Sequence, residues 1–347
     1  MSEPRVYARA PNHLGDVVMA IPALRRLAER YPESGVDVWC PAAWAPVLEA
    51  AGLPAEVMAF RRTRAIWRTA ARLRDVGYDA AYLFPPSFSS AAVVRLAGIA
   101  RRRGTPTDGR GLLLTDRSVR PEAPGEHRVS FYMRLVDPGW KGGEPPVPRL
   151  PVQERALEQF RQLVEGRFER PAVAIFPSSY APARRWPEGK YTALAGLLGQ
   201  EVGTVVVFGG SGEEVLAARV AAGAGKRGID LGGRTSLAVL AAGLSECDLV
   251  VSNDSGPMHL AAAVGAPLIA IFGSSDPKHT GPLGTRARVL WRSELPCAPC
   301  RKNRCRRRGQ GTYLPEAQDE CVHLITVEAV ARAARQQMSQ ARTASDV

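Results

Sequence analysis

The sequence predicts an α/β protein built from two doubly wound, parallel-sheet domains, and three observations carry that reading. Short apolar runs alternate with helical patterns along nearly all 347 residues, as expected of βαβ units. The length suits two domains of ordinary size, and a hydrophobic content of 45% supplies a normal core. Between Asp137 and Pro151 lie eight Gly or Pro residues, a stretch that can sustain neither helix nor ladder and so reads as a linker. The expected division is 1–150, then 151–326, then a terminal helix and frayed tail over 327–347, with fraying after Met338. Two such domains imply a cleft between them as the place for chemistry.

In the first domain the apolar runs Arg5–Arg9, Val36–Cys40 and Ala80–Phe84 read as strands. Helical patterns cover Val17–Tyr31, Ala43–Ala51, Ala65–Val76, Ser89–Leu96 and His127–Val136. Val17, Ile21, Leu24 and Leu27 form a core-facing stripe on the first of these. In the second domain the strands are Ala172–Phe176, Thr204–Phe208, Ile229–Leu231, Asp248–Ser252, Leu268–Phe272 and Arg288–Leu290. Its helices are Glu154–Val164, Pro187–Gln200, Glu213–Ala224, Ser236–Ser245, Ser255–Val264 and Val327–Gln336.

No window of eighteen consecutive apolar residues is present, and the first residues lack an apolar signal segment. The expected location is the cytoplasm. A net charge of +12 favours acidic partners: nucleic acid, an anionic membrane face or a phosphorylated substrate. Of the 46 basic residues only five are Lys, so arginine usage is biased throughout and no single Arg run is informative by itself. A nucleic-acid-binding reading could rest on the basic stretch Cys297–Arg308. That stretch lacks the interleaved aromatic residues on which bases stack, so no nucleic acid partner is expected.

Five segments bear chemistry. The first is Pro11-Asn-His-Leu-Gly-Asp16-Val-Val, a strand-to-helix turn. Gly15 permits a tight turn there, and Asp16 falls at or beside the helix N-cap. Asp16 is either a cap or a general base, and a helix start favours its ionised form. The second is Phe176-Pro-Ser-Ser-Tyr-Ala-Pro-Ala-Arg-Arg-Trp-Pro187. Ser178 and Ser179 offer hydroxyls, and Arg184 with Arg185 could clamp a diphosphate bidentately. Trp186 beside Pro187 suits packing better than ligand stacking. The third is Phe208-Gly-Gly-Ser-Gly-Glu-Glu214, a glycine-rich turn lacking the full dinucleotide and Walker patterns. Glu213 or Glu214 could accept from ribose hydroxyls.

The fourth segment is Val251-Ser-Asn-Asp-Ser-Gly-Pro-Met-His259. A buried strand ends at Ser252 and a helix begins near Ser255. The carboxyl end of a strand in an open α/β sheet is where ligands bind. The unpaired N–H groups of the helix start suit a phosphate. Asn253, Asp254 and Ser255 could equally act only as caps. The fifth is the set Cys297, Cys300, Cys305 and Cys321. It has the count for a structural zinc or cluster, with His323 as a competing ligand, or else consists of reduced thiols in a loop.

The Gly15-Asp16 turn, the Arg184-Arg185-Trp186-Pro187 run and Asn253-Asp254-Ser255-Gly256-Pro-Met-His259 together resemble glycosyltransferase family 9. Phe84-Pro-Pro-Ser-Phe-Ser-Ser90, His127-Arg-Val-Ser-Phe-Tyr132 and Pro296-Cys-Ala-Pro-Cys300 add to the likeness, which spans about Val6 to Ala334. Within the family the chain looks most like the second type of ADP-heptose–lipopolysaccharide heptosyltransferase. The resemblance implies a GT-B fold, with an acceptor-binding first domain and a nucleotide-sugar-binding second domain. It implies inverting transfer of a heptose from ADP-heptose to the heptosyl–Kdo–lipid A inner core, at the cytoplasmic face of the inner membrane.

Carried over residue by residue, Asp16 is the implied base. Ser178, Ser179, Arg184, Arg185, Glu214, Thr235, Ser236, Asp254, Ser255, Gly256 and His259 face the donor. Asp254 holds sugar hydroxyls, Ser255 and Gly256 meet the pyrophosphate, and Glu214 with Thr235 and Ser236 lies near the adenosine. Asn12, Gly15, Arg61, Arg64, Ser87 and Ser90 form the acceptor side. Arg184 stands where the family commonly has Lys, which keeps the charge but changes the geometry. No cofactor is required for catalysis in this design, because a helix start and cations can hold the diphosphate. Alternatives on the same fold are a first-type enzyme, a transferase using another nucleotide sugar, and a nucleotide-sugar epimerase.

Overall fold

Strand β1 (Val6–Arg9) is buried on both faces and sits at the centre of the first sheet. The elements that follow are α1 (Leu14–Glu29), β2 (Val36–Pro41), α2 (Ala45–Ala50), β3 (Glu56–Phe60) and α3 (Ile66–Val76). After them come β4 (Ala80–Leu83), α4 (Phe88–Leu96), β5 (Arg101–Gly104) and α5 (Arg128–Val136). The computed structural model describes residues 4–32, 35–61, 65–117, 123, 125–284, 286–305 and 320–345. It divides into two units, Met1–Arg149 and Leu150–Val347.

The first sheet has the order β3-β2-β1-β4-β5, with every pair parallel. Val6 pairs with Val36 on one side and Ala80 on the other, so the winding direction reverses between β1 and β4. Strands β3 and β5 were not legible as strands. β3 is a half-exposed edge opening on Glu56, and β5 reads Arg-Arg-Arg-Gly. The Arg side chains of β5 are absorbed locally. Arg102 donates to the carbonyls of Ile99 (2.5 Å) and Leu113 (2.7 Å), and Arg103 donates to Leu135 O (2.5 Å) and pairs with Asp116.

Helix α1 starts three residues before Val17, with His13 as its N-cap. Gly15 is therefore already helical rather than a turn residue, and Asp16 is in the first turn, not at the cap. The earlier start buries Leu14 with the core stripe. Helices α1 and α5 lie side by side and are pinned at both ends. Arg128 reaches Asp16 (2.9 Å) at their starts, while Arg26 binds Asp137 (3.0 Å) and Arg30 binds Val136 O (2.5 Å) at their ends.

The second unit contains α6 (Glu154–Leu163), β6 (Ala172–Phe176), α7 (Glu188–Gly199), β7 (Thr204–Gly209), α8 (Glu214–Gly223), β8 (Gly228–Gly232) and α9 (Leu237–Glu246). It continues with β9 (Leu249–Asn253), α10 (Gly256–Ala263), β10 (Leu268–Ile271), α11 (Pro277–Thr280), β11 (Ala287–Leu290), α12 (Glu320–His323) and α13 (Val327–Ser345). The sheet order is β11-β10-β9-β6-β7-β8, again all parallel, and the winding reverses between β6 and β9. Strands β6, β7, β9 and β10 are buried along their whole length, which is why they read as unbroken apolar runs.

Helix α13 continues to Ser345, past the fraying expected after Met338. No Gly or Pro follows Met338 to stop it, and Val330, Ala331, Ala333 and Ala334 anchor it in the core. On its outer side Arg335 grips the Glu201 carboxylate with bonds of 2.6 and 2.9 Å. The Arg335 hydrogen bond holds the Glu201 carboxyl below its ordinary range. A depressed acid stabilises the fold above its ordinary pKa and loses that contribution as pH falls through the folded value. Glu201→Gln is therefore expected to lower stability at neutral pH by about 0.5 kcal/mol, as for a partly exposed pair. The difference should vanish in denaturant melts run below the carboxylate range.

Candidate active site

Both winding reversals carry polar residues, as open α/β sheets require of ligand sites. In the first unit the loops after β1 and β4 part to leave a cavity of about 400 Å³. Asn12, His13, Asp16, Thr105, Arg128 and Tyr132 are among the residues that line it. The Arg128 guanidinium lies 2.9 Å from Asp16 Oδ1, and both side chains keep about a quarter of their surface open. The carboxylate is thus oriented by a cation while still reachable from the cavity.

A fully buried guanidinium shapes the wall of this cavity. Arg110 donates to Pro85 O (2.6 Å), Thr105 O (2.7 Å), Thr105 Oγ1 (2.9 Å) and Ser90 Oγ (3.1 Å). Burial pushes its pKa down to about 10. It ties the loop after β4 to the loop after β5, and both loops face the cavity.

Of the acceptor-side residues expected from sequence, Asn12 lines the cavity, with its Oδ1 accepting from Arg9 (2.6 Å). Gly15 is in the helix turn beside it. Ser87 caps the start of α4, and Ser90 donates to Ser87 O (2.7 Å), so these serines build the wall rather than the lining. Arg61 is exposed beyond β3 and is not among the lining residues, and Arg64 lies outside the described residues. His13, Thr105, Arg128 and Tyr132 were missed as site residues. His13 falls in the Pro11–Asp16 segment and Arg128 and Tyr132 in the His127–Tyr132 run, whereas Thr105 carries no sequence signal.

In the second unit the loops after β6, β7, β8 and β9 converge at the carboxyl end of the sheet. The β9 loop is fixed by Asn253, whose amide donates to Pro177 O (2.8 Å) and accepts from Trp186 N (2.9 Å). Asp254 is 2% exposed, and Arg184 Nη1 stands 3.4 Å from its Oδ2. Ser179 donates to Asp254 O (3.0 Å), and Arg185 Nε to Ser179 O (2.5 Å). The two arginines therefore do not form one bidentate clamp. Arg184 faces the Asp254 carboxylate, and Arg185 braces the loop.

Ser255 is the N-cap of α10 in extended conformation, without a side-chain capping bond. The N–H groups of this first turn remain available for an anion, with Pro257 contributing none. His259 is buried within the same helix. The two glutamates separate in role. Glu213 accepts from Ser178 Oγ and from Gly210 N (2.7 Å), whereas Glu214 is exposed at the start of α8 and accepts from Gly212 N (3.0 Å). The Gly212 and Glu214 N–H groups hold the Glu214 carboxyl below its ordinary range. Ser236 caps α9 through Val239 N (3.3 Å), with Thr235 beside it after β8. Trp186 is buried, edge-on to Tyr191 at 4.9 Å, and packs as expected.

The sequence expects metal ligation by Cys297, Cys300, Cys305 and Cys321. Among the described residues no three His, Cys, Asp or Glu side chains gather as a metal site. Cys297 is exposed, Cys300, Cys305 and Cys321 are half-buried, and Cys321 belongs to α12.

Two all-parallel, doubly wound units with polar sites at their winding reversals are the architecture of the GT-B class. A family model, glycosyltransferase family 9 (heptosyltransferase), matches residues 66–310. The chain belongs to this family. It is 34% identical to lipopolysaccharide heptosyltransferase 2 of Escherichia coli K12 over 309 residues, 82% of this chain and 87% of that protein. It is 29% identical to lipopolysaccharide heptosyltransferase 1 of Pseudomonas aeruginosa, over 91% and 89% of the two chains. The solved structure of E. coli ADP-heptose lps heptosyltransferase II superposes with a TM-score of 0.80 at 28% identity, covering 97% of this chain and 99% of that one.

Proposed function

We propose that this chain transfers a heptose from ADP-heptose to the heptosyl–Kdo–lipid A inner core of lipopolysaccharide, with inversion at the anomeric carbon. The observation that carries it is the Asp16 carboxylate, presented in a cavity at a winding reversal and oriented by Arg128. A carboxylate so held can take the proton of an acceptor hydroxyl as it attacks. The donor's charge is met in the second unit. The N–H groups at the start of α10 and the Arg184 guanidinium are fixed dipole and charge for the departing ADP. Asp254 holds sugar hydroxyls, and Glu214 with Thr235 and Ser236 faces the adenosine.

The acceptor is lipid-linked, so in this reading the chain works at the cytoplasmic face of the inner membrane. Its +12 charge favours contact with anionic lipid. No helix among the described residues is long and apolar enough to cross a membrane. First-type transfer, directly to Kdo, is the second reading, favoured by the likeness to the Pseudomonas relative.

Incubation of ADP-heptose with two purified cores, one ending in Kdo and one carrying a single heptose, separates these readings by mass spectrometry. Gain of one heptose on the second core alone is the expected result. Gain on the Kdo-terminated core alone would establish the first type. Gain on neither, with ADP-heptose intact, would overturn the heptose donor.

A further inference from the structure

The loop joining β10 to α11 holds two serines that no role above absorbs. Ser274 and Ser275 are 2% and 5% exposed, and neither hydroxyl has a hydrogen-bond partner among the described residues. Buried hydroxyls are almost always paired, because leaving one unmade forfeits its hydration with nothing in return. Two adjacent exceptions therefore call for a physical reason.

Their surroundings supply one. The loop leaves the carboxyl end of β10, next to β9, and Asp254 N binds Ile271 O (2.9 Å) where the two strands end. At Gly273 an added Cβ would lie 2.3 Å from Ala183 O, so the loop is pressed against the turn that carries Arg184. The far side is clamped by Arg301. Its N–H donates to Ser274 O (2.7 Å), and its guanidinium pairs with Asp276 at 3.0 Å. Arg301 adopts φ 54, a left-handed conformation that a non-glycine residue takes only when its surroundings impose it. Ser275 is thus bracketed on both sides by bonds that fix the backbone but leave its hydroxyl and that of Ser274 unused. Arg184 Nε, on the abutting turn, is also buried without a hydrogen-bond partner among the described residues.

We propose that Ser274 and Ser275 form a preorganised subsite that hydrogen-bonds hydroxyl groups of the transferred sugar. The inference rests on the donor site assigned above and adds the residues that choose its sugar. A neutral polyol fits better than the diphosphate, because the two cations facing this loop, Arg301 and Arg184, are already matched by the Asp276 and Asp254 carboxylates. A serine hydroxyl both donates and accepts, which suits a sugar hydroxyl. A site built around such bonds discriminates strongly against a sugar that lacks the matching group.

The test compares ADP with ADP-heptose, each by calorimetry, on the wild type, S274A, S275A and the double variant. Removal of an unpaired buried hydroxyl should leave the melting temperature unchanged or raise it. The expected result is unaltered ADP binding with ADP-heptose binding weakened about 10-fold per serine and more in the double variant. Equal loss for ADP and ADP-heptose would place the hydroxyls against the diphosphate and overturn the proposal, as would no loss for either. Should the wild type select a different sugar nucleotide, the heptose reading fails. The serine pair is then judged by the same difference between that sugar nucleotide and its own diphosphate.

Discussion

Asp16→Asn is expected to lower the turnover of heptose transfer by about 10³-fold, in the range of a lost general base. The substitution keeps shape and hydrogen bonding to Arg128 while removing the proton acceptor, so the fold should survive. ADP affinity should not change, because the residues proposed to hold the donor belong to the other unit. Steady-state rates read alongside calorimetric ADP binding check both halves of this expectation. A loss below about 10-fold would assign the base role elsewhere. Parallel loss of ADP binding would instead mean that Asp16 acts on the donor.

Arg184→Met is expected to weaken ADP-heptose binding by about 10–100-fold, the worth of one charge-assisted hydrogen bond. It should also reduce stability by about 1–2 kcal/mol. The Asp254 carboxylate is nearly inaccessible, but Arg184 remains one-third open, so the penalty falls short of that for a fully buried pair. Arg184→Lys should recover most of the stability and only part of the affinity, since an ammonium keeps the charge without the planar fork. Calorimetric binding with thermal melts of the three proteins checks this. Full donor affinity in Arg184→Met would remove the residue from the donor site.

The two-unit α/β architecture was readable from sequence because both sheets are all parallel. Their central strands are buried on both faces and so appear as apolar runs such as Val205–Val206–Val207. Where a strand is an edge, burial no longer dictates composition, and Arg101–Gly104 and Glu56–Phe60 passed unnoticed. The helix start at Asp254–Gly256 was visible for a similar reason: few residue types suit a strand end followed at once by a helix cap. Local sequence says nothing about which distant groups fold onto such a turn. Arg128 is 112 residues from Asp16, and one arginine among 41 carries no signal. Glu213 and Glu214 look interchangeable as letters, and only the turn geometry commits the first to Ser178. The four cysteines have a plausible count, yet among the described residues no three His, Cys, Asp or Glu side chains gather as a metal site.

The chain's last elements bear on the candidate site of the second unit. The carbonyl of Ile325, between α12 and α13, accepts from Trp186 Nε1 (2.9 Å) and Lys190 Nζ (3.0 Å), and Lys190 also donates to His323 O. Burial lowers the Lys190 pKa, and the nearby Glu328 carboxylate of α13 opposes that shift. Trp186 in turn donates its backbone N–H to Asn253, one residue from Asp254. Truncation before Ile325 is consequently expected to disturb the second unit. Such a truncation would leave the buried Trp186 indole N–H and the half-buried Lys190 ammonium without these acceptors, one hydrogen bond away from the Asn253–Asp254 turn.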